Sequence, residues 1–390
     1  MRFIFSSLST LLLLLCVNDA FCLKIGIISF ENLTEVSTLD WLGRSILRSI
    51  SLELKRTKNL DVVTYDVIKF EGLEDIKQFI DKNKLDILVF GYYDVEEPKL
   101  VSTIHIFCRP EIAKNGVMLI EGVNLESLIR LSGRTDLVYE MKVNTSRLIK
   151  LEVEAIAFQT IQGKSLPLTI LSAEMPKASE QEITYAKEHL KKISPINPEK
   201  LPKVRAIKRS AAAVDFYNKA LDSSKEEEEI INYQKAIFLY PDIWQAWYNL
   251  GVVYLNSNDL KRAIYYLIGF MERAPRDVQE LKDKVRKILP RIIPKIEGVK
   301  VDREMAVQFL ERALNLLDLS EDEVRYLEQS IEADPTLWVS RRRLAEIYFV
   351  KGMYQKALQE YREYVALNME PEEILNRARR ILLYLDSFGR

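Results

Sequence analysis

The sequence predicts a two-part protein, an amino-terminal α/β domain followed by an all-α helical solenoid. Two observations carry this prediction. Between residues 23 and 123 the apolar pattern switches repeatedly between the two-residue period of strands and the 3.6-residue period of helices. In the second half, alanine, aromatic and proline positions recur with a period of 34 residues between Pro241 and Pro275. A chain of 390 residues is long enough for two or three such domains.

An apolar leader opens the chain. Arg2 precedes an apolar run centred on residues 11–15, and Ala20 and Cys22 are small residues at the two positions that a signal peptidase recognises. The run is shorter than the roughly 20 residues that span a bilayer, which favours a cleaved signal over an anchor. We therefore predict export, with residues 1–22 as a signal peptide cleaved after Cys22.

Lipid attachment at Cys22 is the alternative to its removal. Asp19 and Phe21 disfavour it, because a lipoprotein signal has Leu and a small residue at those positions. If Cys22 leaves with the signal, Cys108 is the only cysteine of the mature chain, so no intramolecular disulfide can form. The formal net charge of −1 does not predict nucleic acid as a partner.

The first half alternates strand and helix in the order β-α-β-α-β-β, which predicts a mixed sheet. The predicted strands are residues 23–30, 60–68, 85–93, 100–108 and 117–123, and the predicted helices are residues 41–55, 73–83 and 144–162. The Asn115-Gly116 pair before the last strand is typical of a turn between antiparallel strands.

Three stretches of this half resemble a known family. Ile25 to Phe30 followed by Glu31-Asn32-Leu33, then Trp41-Leu42-Gly43, then Leu60-Asp61-Val62-Val63 resemble the TolB amino-terminal-like domain over about residues 23–125. Curli-secretion and flagellar-assembly envelope proteins share this layout. The resemblance implies docking or assembly work in the bacterial cell envelope and names no reaction.

A proline-containing, basic stretch separates the two halves. The prolines are Pro176, Pro195, Pro198 and Pro202. Because proline interrupts helices and like charges repel, we predict a connector in water. The alternative is peripheral membrane association through attraction to anionic lipid headgroups, at about 1 kcal/mol per basic residue. The predicted domains are a signal peptide at 1–22, an α/β domain at 23–175, the linker at 176–209, and repeats at 210–390 with an irregular insert at about 276–303.

The second half resembles the tetratricopeptide (TPR) repeat family. One unit carries Trp247, Leu250, Gly251, Tyr254, Ala263 and Pro275, and a later one carries Leu344, Ala345, Tyr348, Ala357 and Tyr361. The small residues let the two helices of a unit approach closely, and Trp247 fills the space between them. At least about three units must stack to hide their apolar faces. Four candidate units meet this need, and residues 371–384 resemble a terminal cap.

The resemblance also implies a protein-binding groove along the first helix of each unit. Its positions are Gln245, Tyr248, Val252 and Leu255 in one unit and Val339, Arg342, Glu346 and Phe349 in the last. This mixture suits a peptide segment or a helix of an envelope protein. The set lacks the Lys and Asn residues with which chaperone-docking relatives bind a terminal carboxylate. We expect Tyr248 to be exposed in the groove.

No catalytic, cofactor-binding or metal-binding residues are predicted. His105 and His189 are the only histidines, and no glycine-rich phosphate loop is present. Cys108 has no neighbour in sequence that would lower its pKa. The leading hypothesis is an exported non-enzymatic scaffold that binds envelope proteins through the groove. The alternatives are an envelope assembly or secretion component that oligomerises through the α/β domain, and an enzyme with an unfamiliar site.

Overall fold

A computed structural model describes residues 22–33, 37–70, 73–96, 99–108, 123–127, 135–162, 178–193, 207–294, 298–316 and 319–388. Most of the predicted signal peptide, the Asn115-Gly116 turn and the four linker prolines lie outside these residues. None of the helices in the described ranges combines the length and the apolarity that a membrane span requires.

The amino-terminal part is a mixed α/β layer. Its elements are β1 (Leu23–Ile28), β2 (Glu31–Asn32), α1 (Asp40–Leu54), β3 (Leu60–Tyr65), α2 (Leu73–Asn83), β4 (Ile87–Glu96), β5 (Lys99–Cys108), β6 (Val123–Ser127) and α3 (Thr135–Gln162). The described strands are ordered β3-β1-β4-β5-β6, with β2 beside β4. Strand β1 runs parallel to β3 and β4, whereas β4, β5 and β6 are antiparallel. The predicted order β-α-β-α-β-β is confirmed.

The sheet buries both faces because its strands are apolar at successive positions. Ile25 and Ile27 of β1 point into the main core, and Ile28 points to a second cluster under α2. A Cβ at Gly43 would lie 2.1 Å from the carbonyl oxygen of Phe30, so only glycine lets α1 approach the sheet this closely.

The remaining helices form the solenoid. They are α4 (Glu180–His189), α5 (Ile207–Asp222), α6 (Glu226–Leu239), α7 (Trp244–Asn256), α8 (Leu260–Arg273), α9 (Gln279–Ile292), α10 (Arg303–Leu314), α11 (Glu321–Ala333), α12 (Trp338–Val350), α13 (Tyr354–Leu367) and α14 (Glu372–Ser387). Helices α5/α6, α7/α8, α10/α11 and α12/α13 pack as hairpins. Helix α9 occupies the predicted irregular insert, and α4 lies inside the predicted linker.

Close helix contact in the α7/α8 hairpin depends on two glycines. A Cβ at Gly251 would lie 2.9 Å from the Leu267 side chain, and a Cβ at Gly269 would lie 2.2 Å from the Trp247 ring. Trp247 is 5% exposed, and its Nε1 donates a hydrogen bond of 2.7 Å to the Pro241 carbonyl. Trp247 is therefore a core residue of the hairpin, as the sequence predicts.

Helix α3 joins the α/β layer to the solenoid. It packs on α1 on one side and on α12 and α14 on the other. Its buried Glu152 accepts hydrogen bonds from Arg380 and from Arg377, the latter at 3.2 Å. Burial alone would raise the pKa of Glu152, but the two guanidinium groups hold this pKa below its ordinary value. The junction is thus fixed by a buried, ionised cluster.

Candidate functional site: the inner face of the solenoid

The inner face of α7 carries a segment of the chain itself. This segment, Ser179–Ile193, is called the strap below and consists of α4 with a short extension. It packs against α7 and α9. Ser179 caps α4, since its side chain accepts a hydrogen bond from the Glu182 amide. The strap buries Ala186 and Leu190, which lie one helical turn apart.

Asn249 of α7 holds the main chain of the strap. Its Oδ1 accepts a hydrogen bond of 2.7 Å from the Ile193 amide, and its Nδ2 lies 3.2 Å from the Ile193 carbonyl oxygen. The hydroxyl of Tyr217 also donates to that carbonyl, at 3.2 Å. Asn249 Nδ2 lies 2.8 Å from the Tyr217 hydroxyl and 3.1 Å from that of Tyr233. Asn249 thus binds both polar groups of one peptide unit while its own position is fixed.

Burial strengthens this polar cluster. Asn249, Tyr217 and Tyr233 are completely buried. Burial raises the pKa of both tyrosines, although their hydrogen bonds to Asn249 act in the opposite direction. Both hydroxyls therefore stay protonated and remain available as donors. Hydrogen bonds in such a dry site are costly to leave unmade.

Charged and polar contacts surround the buried part of the strap. Lys192 forms an ion pair of 2.5 Å with Glu229 of α6. Lys187 donates to the Asn256 carbonyl at 3.1 Å and to the Asn258 side chain at 2.8 Å. On the α9 side, the Arg291 guanidinium lies over the Tyr185 ring at 4.4 Å. The basic side chains of the strap therefore face carboxylate and carbonyl oxygens of the solenoid.

The predicted groove residues of α7 are mostly closed off. Tyr248 is 1% exposed, Val252 is 1% exposed and Leu255 is 0% exposed, whereas Gln245 is half-buried. The expectation that Tyr248 is exposed is wrong. Its ring packs edge-on against Phe270 at 5.2 Å, and burial raises its pKa to about 12, partly offset by the Lys191 backbone of the strap. Packing that a sequence pattern does not contain accounts for the error.

The predicted groove residues of α12 lie in a charged environment. Arg342 pairs with Glu370 at 2.9 Å, and Glu346 lies 3.7 Å from Arg343. The Arg342 and Glu346 side chains keep 20% and 25% of their surface exposed. Phe349 is only 7% exposed, with its ring 5.4 Å from that of Tyr354, so it is not an open groove residue either. Val339 is buried as well.

One carboxyl near this charged region has a strongly shifted pKa. Burial raises the pKa of Glu272 to about 7, despite the nearby guanidinium groups of Arg342 and Arg343. Glu272 also lies 2.8 Å from the Arg273 guanidinium. The burial effect is the larger of the two opposing influences, so Glu272 titrates near neutral pH.

The side chains considered for catalysis have structural surroundings. His105 of β5 stacks on Phe90 at 4.9 Å and contacts Phe238 of α6 at 5.4 Å. Burial raises the pKa of the Cys108 thiol to about 12, which keeps it in its unreactive form. Among the residues that the structure covers, no group of three or more His, Cys, Asp or Glu side chains could hold a metal ion.

Sequence inspection missed the residues that hold the strap. They are Asn249, Tyr217, Tyr233 and Glu229. The available signal was Asn249 itself, a polar residue enclosed between the core positions Tyr248 and Leu250. A buried amide needs partners, so its presence there indicates a polar contact without naming the partner.

These features define a helical-repeat protein whose inner face binds a peptide segment. In agreement, residues 232–265 match the model of the tetratricopeptide repeat. The matched range runs from α6 through α7 into α8, which includes Asn249. Repeats of this class generally bind protein partners.

Among solved structures, the chain is similar to one titled "Crystal structure of MamA protein". The identity is 16%, the match covers 46% of this chain and 83% of that chain, and the TM-score is 0.18. The search of curated proteins finds no match. The similarity of residues 23–125 to the TolB amino-terminal-like domain stays a prediction.

Proposed function

We propose that this protein is an exported, non-enzymatic scaffold that binds protein partners of the bacterial cell envelope through the inner face of its solenoid. The observation that carries the proposal is the contact between Asn249 and the main chain of Ile193. A surface that holds one extended peptide unit by both its N–H and its C=O is chemically suited to hold others. The envelope location rests on the leader sequence and on the TolB-type resemblance.

Export is tested on the protein made in a bacterial host from its complete sequence. Amino-terminal sequencing of the protein recovered from the periplasmic fraction should begin at Leu23. A chain that keeps residues 1–22 and stays in the cytoplasm would contradict the envelope role. Recovery of a lipid-modified Cys22 would support export while replacing cleavage after Cys22 by lipid attachment.

Partner binding is tested by photocrosslinking in the same cells. A photoreactive amino acid at Glu346 probes the inner face, and the same amino acid at Gln359, an exposed position of α13, is the matched control. We expect a discrete crosslinked partner from position 346 and not from position 359. Equal crosslinking from both positions, or none from either, would contradict binding through the inner face.

A second function is favoured by one observation on α1. Trp41 and Leu52 are 51% and 63% exposed, and they lie with exposed Arg44 and Arg48 along one helical stripe. An apolar stripe of this kind suits oligomerisation through the α/β layer. Sedimentation of the mature protein distinguishes the two functions: a large oligomer that Trp41→Glu/Leu52→Glu reduces to monomers supports assembly, and a monomer supports the scaffold.

A further inference from the structure

We propose that the strap is a displaceable occupant of the groove on α5–α7, and that a basic peptide of similar chemistry from a partner protein takes its place. This inference rests on the proposed function and specifies its partner. The partner segment would carry a small residue and a leucine one helical turn apart, followed by lysine and an extended apolar residue. Those features correspond to Ala186, Leu190, Lys192 and Ile193.

The first argument is that the groove binds the main chain. Asn249 contacts the amide and the carbonyl of Ile193, which every peptide unit except one at proline offers. Tyr217 adds a second donor to the same carbonyl. Because these contacts do not involve the Ile193 side chain, a segment of different sequence can form them equally well.

The second argument is that the strap has a small buried area. Ala186 and Leu190 are buried, whereas Gln181, Thr184 and Glu188 of the same helix are exposed. The strap is held locally because it is part of the same chain, which gives it a high effective concentration. A partner with more contacts than these can therefore compete for the groove.

The third argument is charge complementarity. Helix α6 begins with four consecutive glutamates, Glu226–Glu229, of which the first three are exposed. Lys192 pairs with the last of them, and Lys187 and Lys191 are its basic neighbours on the strap. The acidic start of α6 favours a cationic segment, so a basic partner is expected and an acidic one is disfavoured.

The test uses the mature full chain and a fluorescein-labelled synthetic peptide of residues 178–193. Ala186→Glu/Leu190→Glu places two charges in the buried seat and should release the strap. Gln181→Glu/Thr184→Glu adds the same charge on the exposed side of α4 and is the matched control. Fluorescence anisotropy measures binding of the peptide to the wild type and to each variant.

We expect the released variant to bind the peptide at least tenfold more tightly than the wild type or the control. Adding Asn249→Leu to the released variant should abolish this binding. A peptide with Lys187, Lys191 and Lys192 changed to Glu should bind at least tenfold more weakly. Hydrogen exchange of the strap amides should be faster in the released variant alone.

Three results would overturn the proposal. One is equal peptide affinity for wild type and released variant, and another is no binding by a released variant that keeps its native circular dichroism. The third is loss of native helicity in the released variant, because the strap would then be an integral part of the fold. In each case crosslinking from Glu346 still tests the scaffold function separately, so the two failures are distinguishable.

Discussion

Two helices from outside the repeat hairpins dock on the solenoid, and they do so by different chemistry. Helix α3 spans 28 residues and contacts α12 and α14 through the buried Glu152 cluster, while its other side belongs to the core of the α/β layer. Helix α4 of the strap spans 10 residues and buries few side chains. Its terminal contact is made by its main chain.

The difference separates a permanent junction from an exchangeable one. Removing α3 would leave Arg380 buried without its carboxylate, and would also expose the sheet core. Removing the strap would expose Asn249 and two tyrosine hydroxyls, which water or another peptide could satisfy. Evolution can therefore use the strap position for binding, whereas the α3 position is fixed by the fold.

The largest expected effect tests the permanent junction. Glu152→Ala leaves Arg377 and Arg380 without their shared carboxylate, so the free energy of unfolding should fall by about 3–5 kcal/mol. Urea denaturation measures this change. The control is Asp386→Ala, which removes the exposed Arg362–Asp386 pair and should cost less than about 1 kcal/mol. Equal losses in both variants would show that the junction is not the stronger contact.

The next effect tests the strap contact. Asn249→Leu leaves the Ile193 peptide group and the tyrosine hydroxyls without their shared partner, so stability should fall by about 1–3 kcal/mol. Asn256→Ala changes an exposed side chain at the end of α7 and should stay within about 0.5 kcal/mol. Strap amides should exchange faster in Asn249→Leu only. Unchanged exchange there would mean that Asn249 does not hold the strap.

A third effect depends on pH and concerns Glu272. Its folded-state pKa of about 7 lies above the ordinary value, so its contribution to stability is present at low pH and is lost as pH rises through about 7. Glu272→Gln does not titrate, so its stability relative to the wild type should grow by about 1–2 kcal/mol between pH 5 and pH 8. Urea denaturation at both pH values measures the difference. No growth would show that the Arg273 ion pair outweighs burial.

The smallest effect tests the charged edge of the strap. The Lys192 side chain is 37% exposed in its pair with Glu229, so Lys192→Ala should cost at most about 1 kcal/mol. High salt should reduce this cost further, because it screens exposed charges. Thermal unfolding at low and high salt measures both, with Lys191→Ala as the control. A salt-independent loss of several kcal/mol would place Lys192 among the core contacts.

Much of the architecture could be predicted because it is local. The helix at Leu73–Asn83 and the antiparallel partner of β4 follow from apolar periodicity, and the helix contact at Gly251 follows from residue size. The α9 helix was harder to predict, because Pro290 suggests an interruption whereas the structure keeps it inside the helix. Packing on α8 and α10 accompanies this exception.

The candidate site could be predicted only in part. Arg342 and Glu346 keep partial exposure, but Tyr248, Val252, Leu255 and Phe349 are buried. A repeat pattern states which side of a helix faces inward. It does not state whether another segment already covers that side.

The sequence by itself determined the succession of an α/β layer and a helical-repeat array, and the residues that pack inside each hairpin. These depend on periodicity and residue size within a few turns of chain. Tertiary structure alone decided that Ile193 lies on Asn249, 56 residues along the chain, and that Glu152 meets Arg380, 228 residues away. Such contacts arise from how the whole array curves and packs, so no local pattern encodes them.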